Sequence, residues 1–208
     1  MKIIIPARKG SKGLPFKNRK LFHYTIDIIP MSLYKDVYVL TDDPKIIKEA
    51  LFYDLNVINR PRKVSNDKAS TKSVIEYFLD EVKCENETIA VLYLTYPERT
   101  WEHVIDAIKF FHKNSATSML CKKQIDWTPF LVLKEEVDHK GSQLFYHDLY
   151  RRQDYPKCFE ISHYISLFNS NEINNLNNNL YNSDTVYYDI EDVIDVDKKE
   201  DLDRFEGR

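Results

Sequence analysis

Arg8, Lys9, Lys12 and Lys17 surround two glycines, Gly10 and Gly13, in the stretch IIIPARKGSKGLPFKN, residues 3–18. The whole chain has only four glycines, so placing two among cations asks for a reason. Phosphate binding supplies one: main-chain N–H groups must approach anionic oxygens closely, which requires absent side chains and is helped by φ > 0. In an open α/β sheet, ligands bind beyond the C-terminal end of an early strand, where this loop would lie. The pattern is neither a Walker loop, since no Gly-Lys-Ser/Thr closes it, nor GxGxxG. A solvated basic turn has the same composition, so the loop alone leaves both explanations open.

Carboxylates elsewhere could complete a site. Asp42 and Asp43 in LTDDP (40–44) follow an apolar run, a usual place for a site carboxylate and equally for a helix cap. Asp195 and Asp197 alternate in DVIDVDKKEDLDRF (192–205). On an extended segment both would project from one face and would repel each other unless a cation sat between them. A hard cation such as Mg²⁺ wants oxygen ligands of that kind, while a solvated acidic tail needs none. His163 invites a general-base role or a structural one.

The elements that must position these groups alternate. Strand-like apolar runs occur at 2–7, 36–41, 88–95, 116–121 and 163–168, several of them continuous rather than alternating, which suits a sheet covered on both faces. Between them, 43–54, 70–82 and 100–114 read as helices; in the last, Val104, Ile105, Ile108 and Phe111 share a face and Thr100 can cap. The expectation is one α/β domain spanning 1–208, with a doubly wound, mostly parallel, Rossmann-like sheet. After residue 122 the rhythm fails, and about 125–162 reads as a small protruding arm rich in aromatic and charged residues, for dimerisation or for covering a substrate. The Asn-rich stretch 169–184 is compositional bias with no function attached, and no internal repeat is evident.

A chain of 208 residues is long enough to bury one sizeable core. Its net charge of −3 gives no reason to expect nucleic acid or an anionic membrane as partner, so any anion site must come from local cations. Cys84, Cys121 and Cys158 lie far apart with no CxxC, against a zinc site or a disulfide framework and in keeping with a reducing cytoplasm. The apolar run at the start reaches Pro6 too soon for a signal peptide, and no later run approaches spanning length.

Beyond these readings, IIPARKGSKGLPFKN is similar to the N-terminal signature of acylneuraminate cytidylyltransferases, the CMP-sialic acid synthetases, approximately IIPARGGSKGIPxKN. VLTDDPKI resembles that family's VSTDDxxI, and RPRKVSNDKASTKSVI (60–75) its RPxxLSxDxAST segment. VLYLTYPERT resembles LLQPTSPLRT, RRQDYP resembles RQDxP, and DVIDVDKKEDL resembles xxxDIDTxEDL, all in the family's order. The resemblance implies a doubly wound fold with a dimerisation segment, and transfer of CMP from CTP to an acidic sugar with release of pyrophosphate. It implies that Ala7, Arg8, Gly10, Ser11, Lys12, Lys17 and Asn18 hold the nucleotide and its phosphates, with Arg60, Ser65 and Asp67 beside it or shaping its loop. Arg8, Lys12, Lys17 and Asp197 would carry catalysis, and Asp195 with Asp197 would bind Mg²⁺. Tyr93, Arg99, Arg152 and Gln153 would face the acceptor or a partner subunit in a homodimer.

Three departures fall on the acceptor side. Tyr93, Leu94 and Tyr96 stand where the motif has Gln, Pro and Ser; the segment after Asn18 runs straight into a helix; and Ser162 with His163 replaces an Asn-Gly pair. They imply a CTP-using enzyme with an altered acceptor: N-acetylneuraminate, a legionaminate- or pseudaminate-like nonulosonate, 3-deoxy-octulosonate, or another small acid. Tyr146, Tyr150 and Tyr155 around Arg151 and Arg152 suit a dimer contact or an acceptor wall. The rival functions are a family member that binds CTP without turnover, and an Asp-x-Asp glycosyltransferase.

Overall fold

The computed structural model describes residues 1–65 and 69–207. In chain order the elements are β1 (Lys2–Ala7), α1 (Lys17–Ile26), β2 (Val37–Thr41), α2 (Pro44–Phe52), β3 (Asn56–Asn59), α3 (Arg62–Ser65), α4 (Thr71–Val82) and β4 (Thr88–Val91). They continue with α5 (Trp101–Lys113), β5 (Ser118–Gln124), β6 (Leu133–Glu135), β7 (Gly141–Gln143), β8 (Phe159–Asn169), β9 (Val186–Asp189) and α6 (Lys199–Glu206). Seven strands form one sheet in the order β3-β2-β1-β4-β8-β5-β9, and β6 and β7 form a separate hairpin.

β1 pairs in parallel with β2 and β4, β2 with β3, and β5 with β9. The run at 163–168 is the exception to the parallel expectation: it extends to 159–169 and lies antiparallel between β4 and β5. A strand buried on both faces reads as continuously apolar in either direction, so its sense was not in its pattern. The sheet is doubly wound. Ile3, Ile5 and Ala7 pack toward Leu21, Phe22, Ala50 and Val104 in one core, while Ile4 and Leu40 pack toward Val74, Ile75 and Phe78 in the other. The Asn-rich stretch completes the second core with Ile173, Leu176 and Leu180, with Tyr181 packed against it, so its apolar residues are structural.

Local chemistry accounts for the helix starts. Thr100 Oγ1 accepts from His103 N and His103 Nδ1 accepts from Thr100 N, each at 3.3 Å, a reciprocal cap for α5. Val104, Ala107 and Phe111 are its buried face, and Ile105 is exposed instead of sharing it. Asp43 caps α2 by accepting from Lys45 N at 3.0 Å, with Pro44 at the first helical position.

The segment 190–197 is not a strand. It is nonetheless extended enough to alternate, with Ile194 and Val196 buried and Asp195 and Asp197 exposed. Val196 N donates to Thr95 O and Ile194 N to Glu98 Oε2, each at 2.8 Å, which pins the segment beside the end of β4. The arm carries Leu133, Val137, Tyr146 and Tyr150 exposed to solvent. Among the described residues no helix is long and apolar enough to cross a membrane, and the three cysteines are free.

Candidate active site

A cleft of about 270 Å³ opens beyond the C-terminal ends of β1 and β4. It is lined by Pro6, Arg8, Gly10, Ser11, Lys17, Asn18 and Arg60 on one side and by Ala69, Thr71, Val74, Tyr93, Leu94 and Thr95 on the other. The first group is cationic and polar, the second largely apolar. Such a cleft suits a ligand with a charged end and a flat, weakly polar end.

The basic loop is held by the strand ends beneath it. Thr41 Oγ1 donates to Ala7 O and accepts from Asp43 N, clasping β1 to β2. Asn18 Nδ2 donates to Arg8 O at 2.8 Å, and Lys9 N donates to Asp42 Oδ1 at 2.7 Å. Arg19 binds both oxygens of the buried Asp43 at 2.7 and 2.9 Å. Burial raises the Asp43 carboxyl, but Arg19, the Lys45 amide and the nearby positive charge outweigh it and hold it below its ordinary value. The LTDDP motif is therefore scaffold: one carboxylate caps and pairs, and the other anchors the loop backbone.

The glycines differ from the sequence expectation. Neither has positive φ; the left-handed residue of the loop is Phe16, at φ 56° just before α1. Gly10 lines the cleft, and a Cβ there would enter open space. Gly13 does something else: a Cβ on it would overlap the main-chain carbonyl oxygen of Asp197. Its missing side chain lets the C-terminal acidic segment close on the N-terminal loop.

That closure brings the proposed cations and carboxylates together. Lys17 Nζ lies 2.6 Å from Asp197 Oδ1, across 180 residues of sequence. The main-chain N–H groups of Asp197 and Lys198 both donate to Asp201 Oδ2 at 3.0 Å, so Asp201 fixes the turn and is not a site carboxylate. Asp195 stands beside Thr95 and Tyr96. Desolvation raises its carboxyl above the ordinary value and the Asp197 charge adds to this, against the opposing effect of the Thr95 and Tyr96 hydroxyls and Lys17. Among the described residues no cluster of three or more His, Cys, Asp or Glu could hold a metal. Two carboxylates fit Mg²⁺ that takes its remaining ligands from phosphate and water, not a metal caged by protein alone.

Other expected site residues fall in different places. Ala7 is buried and contributes backbone only; Lys12 is exposed and does not line the cleft. Arg60 does line it, yet its guanidinium donates to Val64 O, and Ser65 Oγ donates to Arg60 O at 3.1 Å. These two residues shape the loop over 60–65, and burial pushes the Arg60 guanidinium down. Asp67 lies outside the described residues.

Arg99 requires a correction. It is 2% exposed and turned inward, donating to Tyr164 O at 2.6 Å, Tyr93 O at 2.7 Å and Thr25 Oγ1 at 3.1 Å. Burial pushes its guanidinium down to about 10. It ties β8 and α1 to the backbone of Tyr93 and does not line the cleft. Arg152 and Gln153 lie exposed on the arm, away from the cleft lining. Arg152 borders a cavity of about 540 Å³ with Trp127, Tyr150 and Tyr155.

Tyr93 does line the cleft, packed against His163 with ring centroids 5.4 Å apart. Burial pushes its phenol up to about 12 despite the Thr71 hydroxyl beside it, so it stays a neutral donor. Burial also lowers the His163 imidazole, which keeps it uncharged at neutral pH. The sequence reading missed Thr71 and Val74. Their signal was the cap Ser70, whose Oγ accepts from Ser73 N at 3.1 Å and places the first turn of α4 at the cleft. A helix N-terminus there favours an anion.

Comparison with known proteins adds a second line. Residues 2–119 match the cytidylyltransferase family. The N-acylneuraminate cytidylyltransferase of Streptococcus agalactiae serotype V is 29% identical over 165 residues, 73% of this chain and 39% of that protein. The Escherichia coli O18:K1:H7 enzyme of the same name is 36% identical over 115 residues, 52% of this chain and 27% of its own length. Pseudaminic acid cytidylyltransferase of Campylobacter jejuni serotype O:2 is 27% identical over 135 residues, covering 60% of this chain and 58% of the relative. The chain thus spans about two fifths of the length of the streptococcal relative. Among solved structures, CMP:2-keto-3-deoxy-manno-octonic acid synthetase complexed with CTP superposes with a TM-score of 0.68 at 14% identity, over 99% of this chain and 96% of that one. The 4-diphosphocytidyl-2C-methyl-D-erythritol synthase of Anaerococcus prevotii gives 0.66 at 15% identity, covering 100% and 98%. Both likenesses establish the doubly wound α/β nucleotidyltransferase fold.

Proposed function

The chain belongs to the cytidylyltransferase family, and from that membership we propose that it moves CMP from CTP to an acidic sugar of the nonulosonate kind, or to another small acid, releasing pyrophosphate for surface-glycan synthesis. One observation supports this most: the basic loop that lines the cleft and the acidic segment from the opposite end of the chain meet through Lys17 and Asp197. Relatives named for N-acylneuraminate and pseudaminic acid suggest the acceptor class.

An acceptor oxygen attacks the α-phosphorus of CTP in line, and the bond to the β-phosphate oxygen breaks. Negative charge grows on the departing pyrophosphate, where Arg8 and Lys17 stabilise it and the backbone at Gly10 admits close approach. Asp195 and Asp197 would hold Mg²⁺, which supplies neutralisation of the α-phosphate. The apolar wall of Val74, Leu94 and Tyr93 suits the cytosine ring and keeps water from competing with the acceptor. Arg60 and Ser65 keep the loop over 60–65 in shape.

A homodimer joined through the arm belongs to the same proposal. Tyr146 at 98% and Tyr150 at 93% exposure would otherwise leave large aromatic surface in water, and a partner subunit would bring Arg152 and Gln153 toward an acceptor. A reaction that draws on CTP places the protein in the cytoplasm.

Pyrophosphate release tests the proposal: CTP with Mg²⁺ across a panel of nonulosonates, 3-deoxy-octulosonate and smaller acids, with ATP, GTP and UTP as controls. Release with CTP and one acceptor is expected. CTP binding with no release across the panel favours a non-catalytic nucleotide binder, and sugar transfer without pyrophosphate favours a glycosyltransferase.

A further inference from the structure

Lys17 faces two ways. It lines the cleft, and its Nζ lies 2.6 Å from Oδ1 of Asp197, a residue that does not line it. The two partners are held differently. Asp197 is fixed from behind: its main-chain N–H donates to Asp201 Oδ2 at 3.0 Å, Val196 N donates to Thr95 O at 2.8 Å, and Gly13 packs against its carbonyl oxygen. Lys17 reaches across on a flexible four-carbon stem. An anion in the cleft can therefore draw the ammonium away, and the carboxylate cannot follow.

The place of the lysine makes a counter-charge necessary. Lys17 is the first residue of α1, and the first turn of that helix has no acidic side chain. The positive end of a helix disfavours a cation there. The lysine side chain is only 12% exposed, so water covers little of its charge. Asp197 supplies the counter-charge, while its own side chain, 74% exposed, keeps a face toward solvent.

We propose that Lys17 is an exchangeable counter-ion. Asp197 holds it until a triphosphate enters the cleft, whose oxygens then take the ammonium and leave the Asp197 carboxylate open. This rests on the proposed function for the identity of the anion, the triphosphate of CTP. The carboxylate opens only once phosphate is in place, so a divalent cation arrives with the nucleotide or after it. The pair also opposes nucleotide binding, because binding must break it.

The test is calorimetric binding of CTP, and separately of inorganic tripolyphosphate, in metal-free buffer at about 0.15 M salt. Wild type, Asp197→Asn, Lys17→Met and the double variant are compared. Asp197→Asn removes the competitor and should tighten both ligands by about 5-fold, the upper range for an ion pair with an exposed partner. It should do so while turnover falls, a combination that loss of a merely structural contact does not give. Lys17→Met should weaken both ligands. In the Lys17→Met background the gain from Asp197→Asn should shrink to under about 2-fold, because it acts through the lysine. Direct repulsion between carboxylate and phosphate predicts the opposite, a gain that persists or grows without Lys17.

Unchanged affinity in Asp197→Asn overturns the proposal, as does a gain that persists in the double variant. If Lys17→Met does not fold, Lys17→Gln takes its place in the comparison. Tripolyphosphate binding with the expected gain, but no CTP binding, upholds the exchange and contradicts the cytidylyltransferase reading. CTP binding without the gain removes the exchange alone. A wild type that binds neither ligand contradicts both.

Discussion

Replacing Gly13 by alanine perturbs a close backbone contact between the two ends of the site. The new methyl would overlap the Asp197 carbonyl oxygen, with the carbonyl carbon 3.3 Å away. The obstacle is backbone, pinned by Asp201 behind it and by the Val196–Thr95 hydrogen bond at 2.8 Å, so no flexible side chain can give way. Overpacking of this kind costs about 1–3 kcal/mol. For a chain of this length that is a fall in Tm of roughly 2–12 °C. Restoring an ordinary contact moves the acidic segment by about 1 Å, a misplacement that costs about 10²-fold in turnover when it falls on catalytic groups. Pyrophosphate release and thermal melting should both respond, while Gly10→Ala, whose methyl meets open space, should leave Tm unchanged and raise only the KM for CTP. A Gly13→Ala variant with wild-type Tm and turnover would refute the reasoning that Gly13 exists for closure of the segment.

Four further outcomes follow from the same geometry. Asp197→Asn should lower turnover by at least ~10²-fold, the scale of removing one group that stabilises transition-state charge, with the circular-dichroism spectrum unchanged; unchanged turnover would remove its catalytic role. Arg99→Met should destabilise by about 3 kcal/mol through the unsatisfied Tyr164 and Tyr93 carbonyls, read as a Tm fall of roughly 6–12 °C; a stable variant with a raised acceptor KM would return Arg99 to the acceptor. Because the Asp43 carboxyl is depressed on folding, its pairing with Arg19 stabilises the fold fully above the ordinary aspartate pKa of about 4 and is lost as pH falls further. Arg19→Ala should therefore narrow the stability gap between pH 7 and pH 3 in urea melts, and an unchanged gap would discount the pair. Tyr146→Asp with Tyr150→Asp should convert a dimer to monomer by sedimentation velocity, whereas a dimer that survives both places the interface off the arm.

Much of this was legible from local chemistry. Thr100 and Asp43 announced their helices because a cap is decided by a few neighbouring residues. The continuous run at Ile3–Ile5 announced a strand covered on both faces, and the alternation of Asp195 and Asp197 survived even though the segment pairs with no strand. Long-range choices were not legible. Whether Arg99 turns to solvent or to three buried acceptors depends on residues up to 74 positions away. The sense of β8 is set by the arm that precedes it, not by its own pattern. Gly13 was assigned to phosphate because its partner lies at the other end of the chain. Tyr96 and Ser162 looked like separate departures until folding put their hydroxyls together.

Following the α-phosphorus of CTP tests the central claim most directly. CTP labelled at the α- or the γ-phosphate is mixed with Mg²⁺ and the acceptor that the panel selects. Cytidylyl transfer predicts that the α-label passes to a CMP-sugar while the γ-label leaves as pyrophosphate in equal amount. Release of α-label as CMP without an acceptor, or γ-label as orthophosphate, would contradict it.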